Sequence, residues 1–296
     1  MYTVNELEKF PVSKFPTHLK VDAFYDGSKA IESFVSSTVL KVLDNQLSIN
    51  KKEKAVIETY YRMYFWLCTI ISLNQPRHFQ GLASAGRAIF ELLIDENLLI
   101  YDLIENGLEK HTAFTQIERY RAAKQVVDYE TEHPESKLAD ETYREFVNSP
   151  GKNTEIENLK VQYWGRNKKG DPNKTEYWSG MSARARAKVI DKKIANTNIK
   201  YEELYLTNFP MQSWMIHSGS VGVENITLDS TEAIIGLSHG TAQTCMLEAT
   251  RIVGIFMHLD KAIGSFFKII DRLKLVPGES LLKEQIKLLK EAENKQ

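Results

Sequence analysis

Only two cysteines, Cys68 and Cys245, occur in 296 residues. That is too few for a cysteine-rich zinc site. Both sit among apolar neighbours (Phe65-Trp66-Leu67 before Cys68, Met246-Leu247 after Cys245), so they read as small buried hydrophobes of a reducing compartment. Proline and glycine are also scarce, at 8 and 15, which favours long helices over a turn-rich β fold. No sign of charge predominates: 38 Lys and Arg face 39 Asp and Glu, a net −1, so no global field draws the chain to DNA or a membrane. Long hydrophobic runs are missing as well. The most apolar uncharged stretch, Met63 to Leu73, falls short of the ~20 residues a membrane-spanning helix needs. The first ten residues carry acids and no apolar core, unlike a secretory signal. A cytoplasmic protein without membrane association is the expectation.

Several motifs are missing too. There is no His-Glu-x-x-His, no Gly-x-Gly-x-x-Gly, no phosphate-loop signature and no Gly-x-Ser-x-Gly. Glu130 and His133 form a lone Glu-x-x-His pair, whereas di-iron bundles need two such pairs and further glutamates. No metal and no cofactor are expected.

Helical periodicity fills the chain instead. After an N-terminal arm (1–21), helices are expected over Asp22–Gln46, Lys51–Leu73, Phe79–Asn106, Thr112–Glu132, Leu138–Val147, Glu155–Trp164, Ala183–Ile194, Tyr201–Ser218 (bent or broken at Pro210), Ser230–Leu275 and Leu281–Glu293. No segment alternates convincingly at period two. The fold class is all-α: one multi-helix bundle over 22–296, with Phe79–Asn106 and Ser230–Leu275 as long central helices and a basic polar loop at about 165–176.

Charge is segregated. Acids outnumber bases about twofold over 91–145, and 160–200 reverses this with Lys160, Arg166, Lys168, Lys169, Lys174, Arg184, Arg186 and others. Tyr163, Trp164, Tyr177 and Trp178 lie among these cations. Cations attract phosphates and flat rings stack bases. Trp164, Trp178, Lys168, Lys169, Arg184 and Arg186 are therefore candidate contacts to RNA or single-stranded DNA. The other reading is a basic surface helix facing an acidic one, within the chain or across a homo-oligomer.

Three side-chain sets are candidates for chemistry. Arg87 and Glu91 lie one helical turn apart, in a stripe with Ser84, Asp95, Asp102 and Glu105. That stripe is either a solvated face or, because the helix is otherwise so apolar, a partly buried one whose charges need partners. Ser213 and His217 form a second one-turn pair beside Trp214, before Ser218-Gly219, where a helix end favours a protonated imidazole. Arg251 and His258, with six residues between them on the expected long helix, are formally similar to the Arg-x(4–6)-His motif of the HEPN ribonucleases. In those proteins His serves in acid–base work and Arg steadies the phosphate.

Gly-Arg87-Ala-Ile-Phe-Glu91, Tyr177-Trp178-Ser179-Gly180-Met181-Ser182 and Ser213-Trp-Met-Ile-His217-Ser218-Gly219 follow one another in that order. Their order and spacing resemble a mostly bacterial, uncharacterised family of all-helical proteins, a domain of unknown function showing Arg-x-x-x-Glu, Trp-Ser-Gly and Ser-x-x-x-His over about residues 55–270. The resemblance implies that Arg87, Glu91, Trp178, Ser213 and His217 converge in space. It implies no reaction. The basic loop before Trp178 and Pro210 before Ser213 depart from the pattern.

Such a cluster suits phosphodiester or nucleotide chemistry without a metal, with Arg87 on an anion, Ser213 beside it, and Glu91 or His217 exchanging protons. It equally suits a structural network that fixes helix packing. The expected function is a polar inter-helix site that binds or processes nucleic acid or a nucleotide, in bacterial stress or phage defence. A non-catalytic helical scaffold or oligomerisation module is the alternative.

Overall fold

A computed structural model describes residues 19–46, 48–173, 176–194, 199–216 and 228–259. The expected C-terminal helix, the part of the expected Ser230–Leu275 helix beyond residue 259, and His217 all lie outside these residues.

The described chain is helical. In order come α1 (Leu19–Phe34), running through a π turn (Val35–Val39) into α2 (Leu40–Asp44), then α3 (Lys51–Ser72), a 3-10 turn (Pro76–His78), α4 (Phe79–Ile100), α5 (Gly107–Glu132), α6 (Glu141–Asn148), α7 (Lys152–Trp164), α8 (Ala183–Lys193), α9 (Tyr201–Ile216) and α10 (Leu228–Phe256). No strand occurs among the described residues; Arg166 and Pro172 form an isolated bridge that closes the basic loop. No helix among them is long and apolar enough to cross a membrane. The all-α expectation holds.

Contacts divide the chain into two compact units: unit 1 is Met1–Leu103 with Ala187–Gln296, and unit 2 is Ile104–Arg186. In unit 1, α4 packs against α3, α9 and α10. Its Leu82, Ile89, Phe90, Leu93, Ile94, Leu98 and Leu99 are buried, because apolar residues occupy nearly its whole circumference and such a helix stays wet nowhere but along one stripe. In unit 2, α5 packs against α6 and α7 around Ile117, Tyr120 and Ile156.

Local chemistry sets the helix ends. Asn50 opens α3 with a full capping box: its side chain accepts from the Lys52 and Glu53 amides, and Glu53 accepts from the Asn50 amide at 2.7 Å. Helix α4 stops at Ile100, six residues before the expected end. Asp102 takes a left-handed conformation (φ 49°), and the Leu103 amide reaches back to the Leu98 carbonyl at 3.1 Å. This is a Schellman closure with aspartate in the usual glycine place. Gly107 opens α5 instead of ending α4, after a left-handed Asn106. Pro210 sits inside α9, which continues through it to Ile216, so of the bend or break expected there the helix shows no break.

Helix α10 ends the same way as α4. Its last residue is Phe256, His258 is left-handed (φ 55°), and the Leu259 amide donates to the Gly254 carbonyl at 2.8 Å. The expected continuous helix through His258 to Leu275 is corrected here: the chain leaves the helix before His258.

Candidate functional site

The stripe on α4 is half-buried along Ser84, Arg87, Glu91 and Asp95, while Asp102 and Glu105 lie beyond the helix and are exposed. Helix α9 covers this part of α4. Arg87 Nε donates to Glu91 Oε1 at 2.9 Å, and Arg87 Nη1 donates to Ser213 Oγ at 3.2 Å. The guanidinium lies over the Phe209 ring, 4.5 Å from its centroid. Phe209 is stacked on Tyr205 from the preceding turn, centroids 4.7 Å apart and rings inclined by 24°. Three groups thus fix one guanidinium: a carboxylate on its own helix, a hydroxyl on α9, and an aromatic face on α9. Arg87 and Glu91 side chains each stay 25% exposed, and Arg87 Nη2 makes no hydrogen bond among the described residues. The arrangement can hold an anion without reorganising. Serine and arginine meet as expected, and His217 lies outside the described residues.

Behind this pair, α4 approaches α9 and α10 closely. A Cβ on Gly86 would come within 2.6 Å of Gln212 Nε2 and 3.4 Å of the Ser238 Cα. Gln212 is buried and donates to Thr241 Oγ1 at 3.4 Å; Asn208 Nδ2 donates to the same oxygen at 3.1 Å.

The expected base-stacking surface is placed differently. Trp178 is buried in unit 2, its ring edge-on to His111 at 5.5 Å. Arg186 is buried as well, its guanidinium 4.9 Å from the Tyr177 centroid. Trp164 packs against the Ile117–Tyr120–Ile156 core. The apolar area of these rings and the shortage of other core residues in a small helical unit turn them inward. Their use as an open stacking platform is corrected. Lys168, Lys169 and Arg184 are exposed. Along a shallow groove on unit 2, Arg121, Lys124 and Lys160 are each within 2.9 Å of an acid (Glu118, Asp128 and Glu157).

Arg251 and His258 do not form a pair on one helix. Arg251 is bound to Glu248 through two hydrogen bonds, Nε to Oε2 at 2.9 Å and Nη2 to Oε1 at 2.6 Å. Exposed His258 lies past the helix end.

Sequence reasoning missed two buried polar centres of unit 1. One is Glu96, fully buried on α4, whose two oxygens have no hydrogen-bond partner among the described residues. Burial, and then the negative charge of Glu248, push its carboxyl well above the usual carboxylate range. Near it lies the Tyr60 hydroxyl, bonded to Thr250 Oγ1 at 2.7 Å; the Tyr201 hydroxyl, near Glu248, accepts from Asn97 at 3.0 Å. The signal was present: Glu96 is a lone charge among Leu92, Leu93 and Leu99. The other centre is His239. Its Nε2 donates to Asn74 Oδ1 at 2.9 Å, which leaves Nδ1 to accept from Ser28 Oγ at 2.7 Å. Gln243 Nε2 donates to Ser28 Oγ at 3.2 Å. Burial lowers the imidazole to about 4. Partners 165 and 211 residues away leave no local trace in the sequence. No group of three or more metal-ligating side chains occurs among the described residues.

Residues 53–233 match the model of a family described as Family of unknown function (DUF5677), and the chain belongs to that family. No curated protein and no solved structure matches it.

Proposed function

Because membership of a family of unknown function carries over no reaction, we propose from the geometry that the Arg87 site binds the phosphate of a nucleotide or nucleic acid and acts on its phosphodiester without a metal. The observation that carries this reading is the guanidinium of Arg87, held by Glu91, Ser213 and Phe209 while a quarter of its side chain faces solvent. A fixed fork of donors matches phosphoryl oxygens and stabilises the charge that grows on them during displacement. Ser213 Oγ, already within hydrogen-bond range of Arg87, is a second contact for the same anion.

His217, four residues after Ser213, takes the proton-exchange role by its place in the sequence. Glu91 and His217 then divide the acid and base work. One removes the proton of the attacking hydroxyl, and the other protonates the leaving oxygen. On unit 2 by itself, exposed Lys168, Lys169 and Arg184 are cations that attract a polyanion such as RNA or single-stranded DNA. A role in bacterial stress or phage defence goes with this reading. One observation favours a scaffold instead: the same hydrogen bond from Arg87 to Ser213 ties α4 to α9.

The test is binding and cleavage of a short single-stranded RNA in the presence of a chelator, with Arg87→Ala and His217→Ala. Folded variants that lose both binding and cleavage support the site. A folded wild-type protein that neither binds nor cleaves overturns it, and an Arg87→Ala chain that unfolds makes the cluster structural.

A further inference from the structure

The aromatic run of α3 turns one ring to solvent. Phe65 is 61% exposed. It packs against two tyrosines, its centroid 6.3 Å from that of Tyr61 and 5.8 Å from that of Tyr64. Each tyrosine hydroxyl donates to a carboxylate: Tyr61 to Asp44 Oδ1 on α2, and Tyr64 to Glu32 Oε1 on α1 at 2.9 Å. Asp44, Tyr61, Phe65, Tyr64 and Glu32 are therefore in contact in that order. A neutral hydroxyl orients a carboxylate without cancelling its charge. Neither acid is paired with a lysine or arginine among the described residues, and Asp44 Oδ2 and Glu32 Oε2 accept no hydrogen bond among them. The neighbouring bases do not serve them. Lys29 lies over the Tyr25 ring at 6.0 Å. Exposed Lys41 makes no ion pair with Asp44. Arg62 lies about 60° around α3 from Phe65, on the side away from both tyrosines. Asp44 comes twelve positions after Glu32, which on an unbroken α-helix sets the two about 120° apart. The π turn between them, Val35–Val39, takes more residues per turn and returns them toward one phase. Both acids thus reach α3, roughly 18 Å apart along the helix axis.

We propose that this strip docks a basic segment of a partner protein, with one arginine on each carboxylate and the segment laid across Phe65. The charge of the strip selects the partner: two oriented, unpaired acids flank an aromatic face, and both features attract cations. Arginine suits it better than lysine, because a planar guanidinium stacks on a ring and forks onto a carboxylate. The spacing selects the segment. An extended chain advances about 3.3 Å per residue, so acids roughly 18 Å apart match cations about five residues apart. The inference does not rest on the phosphate reading and uses none of its residues.

The experiment titrates the full chain, at low ionic strength, with a six-residue peptide carrying arginine at both ends and alanine between. The control is the same peptide with citrulline for arginine, which keeps the shape and loses the charge. The arginine peptide binds about tenfold more tightly, the worth of one hydrogen bond between charged groups. Asp44→Asn and Glu32→Gln each remove part of this preference, and the double variant removes it. Phe65→Leu keeps apolar bulk without a π-face and weakens the arginine peptide about two- to fivefold, the range of an exposed cation–π contact. Phe65 is exposed, so this variant folds. Equal affinity for the two peptides, or no binding of either, overturns the proposal. So does an arginine-peptide affinity unchanged in folded Phe65→Leu or in the double carboxylate variant. Self-association of the wild-type chain that Phe65→Leu abolishes, with no peptide bound, assigns the strip to a second copy and also overturns it.

Discussion

Arg87 and Ser213 stand 126 positions apart in the chain and 3.2 Å apart in space, guanidinium Nη1 to hydroxyl Oγ. The bond crosses from α4 to α9, and the Phe209 ring beneath the guanidinium fixes its plane. Lysine at position 87 keeps the charge but not the fork. Arg87→Lys is therefore expected to lose most of the phosphate affinity, at least tenfold, while unfolding within about 1 kcal/mol of the wild-type chain, the range of a partly exposed ion pair. Isothermal titration with inorganic phosphate, beside denaturant unfolding, measures both. Full phosphate affinity in Arg87→Lys counts against a bidentate site.

Glu96 makes the fold depend on pH in the alkaline direction. Its carboxyl is raised in the folded state, by burial first and by Glu248 second. Its contribution is therefore complete below the ordinary carboxyl range of about 4 and declines as pH rises through the elevated folded value. The facing charge is Glu248, itself paired with Arg251, with Tyr60 close by. Glu96→Leu removes an unpartnered polar group and is expected to stabilise the chain at neutral pH by about 1–3 kcal/mol. It should also flatten the decline of stability with pH above the ordinary carboxyl range. Thermal midpoints measured above that range decide it, and a destabilised, equally pH-dependent variant would contradict the assignment.

His239 acts in the opposite direction. Its folded value of about 4 lies below the ordinary 6.5. The stabilisation is complete above 6.5 and is lost as pH falls from 6.5 toward 4, by about 3 kcal/mol in all. Protonation takes away the lone pair that accepts the Ser28 hydroxyl. His239→Gln should show a weaker acid transition than the wild-type chain when ellipticity is followed from pH 7 to pH 4. Equal slopes for the two proteins would remove His239 from the account.

His258 is the left-handed residue of the α10 closure. A side chain with a Cβ costs roughly 1–2 kcal/mol in that conformation. His258→Gly is therefore expected to raise stability by about 1 kcal/mol and to leave any phosphodiesterase activity untouched. Loss of activity in a stabilised His258→Gly protein would restore the Arg251–His258 pair as a catalytic set.

The helical nature of the chain was legible because apolar residues recur at helical spacing through α3, α4 and α5. The ends were harder to read. Asp102 and His258 close helices in a conformation that sequence rules assign to glycine, so α4 and α10 run shorter than their apolar patterns suggest. Arg87, Glu91 and Ser213 were legible as one-turn neighbours on amphipathic helices. Phe209 and Tyr205 were not, because aromatic residues on an apolar helix look the same whether they fill a core or carry a guanidinium. Trp178 and Arg186 were misplaced for a related reason: a cation beside an aromatic ring has the same spelling on a surface as in an interior, and burial alone separates the two.

Pro210 has one more consequence. A proline nitrogen carries no hydrogen, so the Leu206 carbonyl lacks its helical rung. Leu206 is half exposed, and water can serve that oxygen in its place. The turn bearing Ser213 and Trp214 is thus joined to the rest of α9 by one tie fewer than an ordinary helix supplies. Phe209 and Ser213, the two α9 side chains that hold Arg87, lie on either side of that proline.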